Sequence, residues 1–289
     1  MSFPVEIIDV AVPTLEPLSV RPGAIPAANR PLREHLAMRA AMPKATVRVR
    51  TDFWPSPALL AQIRRLEVNV LIRAVDGTEL LRKIAHGATA SEEFPPDEAS
   101  IRIRYPWDIL AVNERLVAEL ASAEVAGTVR PGVTVDGTLA LGEGSVILPG
   151  VYIEGCVMIG RNCVIGPNAY LRGSTSIGDH CRIGQAVEVK NSLIMDHVHL
   201  QHLSYVGDSV LARGVNFGAG TITSNLRHDG GVHRSQVDGV WRDTGRTKLG
   251  VIVGHDAHTG IQTGFYPGRK LWPGVTTLPG EMVRQDKHA

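Results

Sequence analysis

From residue 129 onward the chain sets an aliphatic residue at every sixth position: Val129, Val135, Leu141, Ile147, Ile153, Ile159, Ile165, Leu171, Ile177, Ile183 and Val189. Glycine follows directly at Gly142, Gly160, Gly166, Gly178 and Gly184. Two residues ahead of the aliphatic position stands a small or β-branched residue: Ser145, Val151, Val157, Cys163, Ala169, Thr175, Cys181 and Val187. A period of six matches neither a helix nor an alternating strand. It matches a coil of triangular cross-section, in which each hexapeptide makes one short flat strand and one corner. The aliphatic side chain points inward, and the glycine relieves crowding at the turn. Three hexapeptides close a coil, and coils stack about 4.8 Å apart. The pattern predicts an all-β solenoid, a left-handed parallel β-helix of hexapeptide repeats, over residues 128–285.

The rhythm slips by one residue after Val189 and resumes at Ile194, Leu200, Val206 and Ala212, and a weaker repeat returns after about residue 249. Residues 224–248 (SNLRHDGGVHRSQVDGVWRDTGRTK) are polar and aperiodic, which predicts a long loop ejected from the coil. Long loops on a rigid scaffold commonly carry function. Upstream, residues 1–30 carry five prolines and read as an extended arm. Residues 31–127 hold helical patterns over 55–75 (PSPALLAQIRRLEVNVLIRAV) and 105–123 (YPWDILAVNERLVAELASA), with Asp108 an early-turn acid of the second. They predict a small mainly helical or mixed α/β domain capping the open N-terminal end of the stack, since a solenoid needs its ends covered.

Composition narrows the partners. Thirty Lys plus Arg against 29 Asp plus Glu leave no strong attraction to nucleic acid or to an anionic membrane. The start of the chain lacks the basic, unbroken apolar run of a signal peptide, and no stretch approaches the roughly 20 apolar residues of a membrane span. Three cysteines with no CxxC spacing (Cys156, Cys163, Cys181) favour a reducing compartment. The expectation is a soluble cytoplasmic protein. Cys163 and Cys181 fall on the small-residue position and read as packing; Cys156 has no assigned role.

Candidate chemistry comes from stacking. Arg172 and Lys190 each follow an inward residue and lie one coil apart, so they stack about 5 Å from each other and point outward. Glu188 alternates with Val189 and is placed to neutralise one of them. Two stacked cations read either as a solvated surface pair or as a phosphate clamp, with a bidentate Arg beside a point-charge Lys. His202, Tyr205 and Asn216 follow within a coil. The NFGAG turn at 216–220 lets backbone N–H groups approach a ligand.

KN at 190–191, HLSYVGD at 202–208 and NFGAGTITSN at 216–225 resemble the acetyltransferase half of the bifunctional glucosamine-1-phosphate acetyltransferase/N-acetylglucosamine-1-phosphate uridylyltransferases. NLRHDG, DTGRTKLG and GIQTGFYPGRK are more similar to the archaeal-type sugar-1-phosphate nucleotidylyltransferase/acetyltransferases, and YPWDILAVNERL resembles the helix joining their two halves. The resemblance covers about residues 104–283. It implies a CoA-dependent N-acetyltransferase acting on an amino-sugar 1-phosphate, as a homotrimer with acetyl-CoA in the groove between neighbouring coils and no metal for acetyl transfer. It implies Arg172, Lys190, Tyr205 and Asn216 as sugar-phosphate ligands, with Glu188 beside them. It further implies His202 as general base and Asn225 beside the reacting amine. The backbone N–H of Ala219 would meet the thioester carbonyl, with Gly220 also lining the cofactor.

The chain also departs from that pattern. No glycine-rich G-x-G-T loop precedes AMPK at 41–44, and roughly 100 residues cannot hold a nucleotidyltransferase domain, so uridylyl transfer is not expected. Leu226, Arg227 and His228 replace the aromatic and lysine of the bacterial enzymes, which leaves the amino sugar open among glucosamine-1-phosphate, galactosamine-1-phosphate and another aminated sugar phosphate. Two alternatives stand beside this reading. One is a catalytically inactive trimeric scaffold or regulatory subunit. The other is a zinc-dependent, carbonic-anhydrase-like site drawing on His197, His199 and His202, the first two of which are expected to face solvent.

Overall fold

The computed structural model describes residues 4–119 and 124–288, and the chain forms two compact units. The smaller is built from residues up to 13, 20–25 and 30–104. It is mixed α/β rather than mainly helical. A five-stranded sheet runs in the order Val5–Ile8, Ala45–Arg50, Glu79–Ala85, Asn69–Arg73, Ser91–Phe94. Helices α1 (Leu32–Ala40) and α2 (Pro57–Arg65) complete the unit.

Two expectations fail here for identifiable reasons. The helix predicted over 55–75 is α2 alone. Ser56 caps it by accepting the Leu59 N–H at 2.9 Å with Pro57 in the first turn. Its end is closed by the buried Lys83 ammonium, which donates to the Ile63 carbonyl at 2.9 Å. Beyond Arg65 the apolar period drops to two: Val70 and Ile72 are buried while Asn69, Leu71 and Arg73 are half-buried, so the segment pairs as a strand. The predicted arm is not wholly extended coil either. Val5–Ile8 is a sheet strand parallel to Ala45–Arg50, and residues 14–19 and 26–29 group with the larger unit.

The larger unit takes the rest of the chain from residue 105, so the domain boundary lies before, not after, the second predicted helix. That helix, α3 (Pro106–Glu119), packs along the solenoid: buried Asn113 donates to the Ser174 carbonyl at 3.3 Å and accepts from the Ser176 hydroxyl at 2.5 Å. Residues 120–123 of the predicted segment lie outside the described residues.

From residue 125 the chain winds as a left-handed parallel β-helix. Pairing runs Thr134–Leu141 with Tyr152–Ile159, and so upward. The inward column Ile147, Ile153, Ile159, Ile165, Leu171, Ile177, Ile183 and Val189 is buried, as is the small-residue column from Ser145 to Val187. Cys163 and Cys181 sit in that column on successive rungs, the Cys181 N–H donating to the Cys163 sulfur at 3.4 Å. Val129 and Val135 keep the rhythm but are exposed, because they stand on the first rungs.

Each side ends in a corner whose second residue adopts positive φ. One column of such residues reads Gly132, Gly150, Asn168, Ala186, Leu203, Gly220, Gln262 and Gly280. The N–H groups of Gly150, Asn168, Leu203, Gly220, Gln262 and Gly280 in this column each reach a carbonyl on the rung below, as Leu203 does to Gln185 and Gly220 to His202. The residue before it needs no N–H of its own, and Pro131, Pro149, Pro167 and Pro279 take that place.

The slip after Val189 is a shortened corner. Leu171 and Thr175 flank three residues, Val189 and Ser192 only two, and Ile177 pairs with Ile194. The same shortening repeats between Val206 and Ser209, so the next inward residue is Leu211, not the expected Ala212. Tyr205 then pairs with Ile222, whereas Val210 skips to Ile252, and the extra chain is the ejected loop. The loop is not structureless. Arg234–Val237 and Val240–Asp243 form a hairpin, and a Leu226–Lys248 bridge closes the base.

The glycines that follow the inward residues stack on one another. A Cβ on Gly160 would lie 2.7 Å from the Gly178 carbonyl carbon and 2.3 Å from Asp179 Oδ1. Backbone cannot yield there. Gly160→Ala is expected to cost about 1–3 kcal/mol in thermal unfolding. Gly280→Asn, at an open positive-φ corner whose column already holds Asn168, should change stability by less than about 0.5 kcal/mol.

Candidate functional site

One flat side of the prism carries the outward ladder Tyr152, Tyr170, Glu188, Tyr205, Ile222, Gly264 and Met282. Its two edges hold most of the residues singled out from the sequence. Arg172 and Lys190 pair directly on neighbouring strands at one edge. His202 occupies the opposite edge, in the corner position that sister rungs give to proline, and Ala219 lies directly above it: the Gly220 N–H donates to the His202 carbonyl at 3.2 Å. The side between the edges is four residues long, roughly 13 Å.

The cations are not free. Arg172 donates Nε–H to Glu188 Oε1 at 2.8 Å and rests over the Tyr170 ring at 5.4 Å. Burial is the strongest single influence and works against its charge, but the Glu188 hydrogen bond and the Glu188 charge, helped by Tyr170 and Tyr205, together hold its pKa above the usual value. Lys190 donates Nζ–H to Asp208 Oδ2 at 3.0 Å. With the Asp208 side chain only 3% exposed, this second pair is largely desolvated. The predicted cradle therefore carries two cations and two carboxylates, with only the Arg172–Glu188 pair open to solvent at about a third of its surface.

Asp208, which the sequence reading passed over, organises the rest. Its carboxylate also accepts Asn191 Nδ2–H at 3.0 Å and Asn225 Nδ2–H at 2.5 Å. Asn225 lies 3.1 Å from the Tyr205 hydroxyl. Burial, then the Asp208 charge, push the Tyr205 phenol up from its ordinary value, so it stays protonated. Asn191 and Asp208 are the positive-φ residues of the two shortened corners. The slip after Val189 marks the first of these corners; the second, at Asp208, is hidden in the sequence because Ala212 continues the six-residue count in place of the inward Leu211.

Other predicted residues separate. Asn216 faces outward on the neighbouring side, in a ladder with Arg182 and His199, around the corner from Tyr205. The Gly220 N–H is taken by His202, so of the two turn amides only Ala219 keeps an N–H without an acceptor among the described residues. The three histidines of the zinc alternative do not gather on one chain. Exposed His197 stacks on His180 at 4.9 Å at a different corner, half-buried His199 lies on a side, and His202 is at the next edge. Among the described residues no three His, Cys, Asp or Glu side chains form a metal-binding group.

A cleft of about 630 Å³ opens on the Tyr205 side above Tyr205, lined by Ile222, Leu226, Phe265, Tyr266, Pro267 and Met282, with Arg227 and Asp229 paired at its rim. Nothing in the hexapeptide rhythm announced it, because half of its wall comes from the loop.

Residues 153–260 match the family model described as the GMPPB C-terminal domain. A bifunctional sugar-1-phosphate nucleotidylyltransferase/acetyltransferase of Sulfurisphaera tokodaii is 42% identical over 181 residues, 63% of this chain and 45% of that protein. A bifunctional protein GlmU of Methanococcus maripaludis is 52% identical over 169 residues, 58% of this chain and 41% of that protein. The matched residues resemble the C-terminal, acetyltransferase half of these bifunctional proteins. The chain spans less than half the length of either relative. The acetyltransferase domain of PglB from Neisseria gonorrhoeae FA1090 overlaps 71% of this chain and 78% of its own, at 11% identity and a TM-score of 0.31.

The loop is anchored beside the site by His233, which is buried and donates Nε2–H to the Asn225 carbonyl at 3.0 Å. Burial lowers its pKa below the ordinary 6.5. The folded chain then binds fewer protons here than the unfolded one, and the stability this anchor contributes is complete above about pH 6.5 and lost as pH falls further. The melting temperature of the native protein should fall more steeply below about pH 6.5 than that of His233→Gln, which keeps the donor but does not titrate.

Proposed function

We propose that this chain is a CoA-dependent N-acetyltransferase that acetylates the amine of an amino-sugar 1-phosphate, glucosamine-1-phosphate or galactosamine-1-phosphate, and works as a homotrimer. One observation carries the reading: a histidine beneath an unclaimed backbone N–H at one edge of a side, and stacked Arg172 and Lys190 at the other. The relatives support it, a bifunctional sugar-1-phosphate nucleotidylyltransferase/acetyltransferase among them.

Acyl transfer needs a neutral amine. In this reading the amine nitrogen attacks the thioester carbon, His202 takes the amine proton, and the oxyanion is met by the Ala219 N–H. The C–S bond then breaks, and the proton passes to the departing CoA thiolate. Asn225, fixed by Asp208, orients the amine, and the Tyr205 hydroxyl is a ligand for the sugar. The apolar cleft beside Asn225 leaves room for the apolar arm of the donor. The exposed apolar residues Leu203, Ile261 and Leu278 at the His202 edge support burial against a second copy. Asn216 stands on the other side of that edge, so it would serve a neighbouring protomer's substrate rather than its own.

The phosphate must compete with Glu188 for Arg172. Two outcomes follow for thiol-release assays with acetyl-CoA across a panel of amino-sugar phosphates. His202→Ala should lower kcat by about 10²- to 10⁴-fold with little change in KM. Arg172→Ala should raise KM for the sugar phosphate about 10- to 100-fold, whereas Glu188→Gln, which releases Arg172, should lower it about two- to fivefold. Absence of CoA release with every amino sugar would put the inactive-scaffold reading ahead.

A further inference from the structure

A continuous chain of charge-assisted hydrogen bonds links the end of the ejected loop to the Asp208 cluster through Glu114 of helix α3 and Asn191. Arg246, near the loop's end, donates Nη2–H to Glu114 Oε1 at 2.5 Å and Nη1–H to Glu114 Oε2 at 3.3 Å, a two-pronged pair on a carboxylate of α3. Glu114 Oε1 also accepts Asn191 Nδ2–H at 2.6 Å, and Asn191 donates to Asp208. Asp208 holds Lys190 and Asn225. Both members of the pair are largely withdrawn from solvent, at 17% and 28% side-chain exposure, unlike the open Arg227–Asp229 pair in the same loop.

The loop is thus tied at two points on one network. Asn225 ties its start to Asp208, and Arg246 ties its end to Glu114. Between these ties the His233 N–H donates to the Arg246 carbonyl at 2.8 Å and the Leu249 N–H to the Asn225 carbonyl at 3.0 Å. The hairpin itself rests on the coil through Lys270, which donates to the Gln236 carbonyl, and Arg269, which lies over the Trp241 ring. Glu114 touches neither Tyr205 nor Lys190. Its influence on them runs through Asn191 and Asp208.

We propose that Glu114 and Arg246 are positioning residues, a latch that holds the loop shut and sets the Asn225 amide and the Lys190 ammonium in register for the acceptor. The kinetic half of this inference rests on the proposed acetyl transfer; the latch itself does not. Without the Glu114 carboxylate, Arg246 loses its two-pronged partner and the Asn191 amide loses one of its two acceptors. The base of the loop beside the cluster is then held by the Asn225–Asp208 contact, while its hairpin keeps the Lys270–Gln236 and Arg269–Trp241 contacts to the coil.

The test compares the intact protein with Glu114→Gln, Arg246→Gln and the double variant. Hydrogen exchange of the backbone amides in residues 226–249 should quicken about tenfold in each variant, while amides of the coil below Val189 exchange as before. The double variant should exchange no faster than either single one, as one shared interaction requires. Unchanged exchange in the loop, or additive effects in the double variant, overturns the latch whatever the protein acylates. In thiol-release assays the variants should raise the acceptor KM about fivefold and leave the acetyl-CoA KM unchanged. Equal rises in both KM values, with a matching loss of melting temperature, would mean a general loosening of the fold and would likewise overturn it. A native protein that acetylates no amino sugar would sink the proposed function alone, and the exchange result would still decide the latch.

Discussion

The solenoid depends on one constraint: each rung must pair its backbone N–H groups with carbonyls of the adjoining rungs, the strands donating to the rung above and the corners to the rung below. A corner meets that requirement through its second residue, which takes positive φ. The first residue can then be a proline, as at Pro131, Pro149, Pro167 and Pro279, or can turn its N–H to a side chain, as Arg161 does to Asp179. Proline, arginine, lysine, histidine and alanine all occupy first positions in this chain. The edges of the prism are therefore where chemistry is carried at least cost to the fold. His202, Ala219, Arg172 and Lys190 are edge residues of this kind, while the sides contribute Glu188 and Tyr205.

Electrostatics at the site are more balanced than a stack of two cations suggests. Glu188 and Asp208 neutralise Arg172 and Lys190, but in different environments. The Arg172 pair is a third exposed, and its carboxylate is exchangeable for another anion at modest cost. The Lys190 pair is nearly dry, and Asp208 is committed to three donors, so removing it would strand a buried charge. The Arg172 guanidinium can thus exchange its partner for a ligand anion, whereas the Lys190 ammonium is presented in a fixed place by the cluster that holds it.

Much of this was readable along the chain because the period of six is dictated by the core. The buried column from Ile147 to Val189, the one-residue slip and the limits of the 224–248 excursion all follow from which residues must point inward. The stacking of Arg172 on Lys190 follows from the same count. What the count misses lies where periodicity stops governing. Val129 and Val135 obey the rhythm yet stay exposed at the end of the stack. The strand Asn69–Arg73 was hidden in an apolar run that reads equally as helix until Lys83 closes α2. Asp208, Glu114 and Arg246 meet only through tertiary contacts between helix, corner and loop, and no single-segment pattern joins positions so far apart in sequence. Asn216 shows the opposite error: it is near Tyr205 in sequence but turned away from it by a corner.

The shortened corners behave as a vernier. Dropping one residue at the tip between Val189 and Ser192, and again between Val206 and Ser209, leaves the flanking strands in register and the core undisturbed, while the edge is drawn inward by part of a residue's length. Outline and interior are consequently adjustable independently of one another. A coil of this type can be recontoured for a differently shaped guest by trimming or adding single residues at its tips, with no compensating change among the aliphatic residues it encloses.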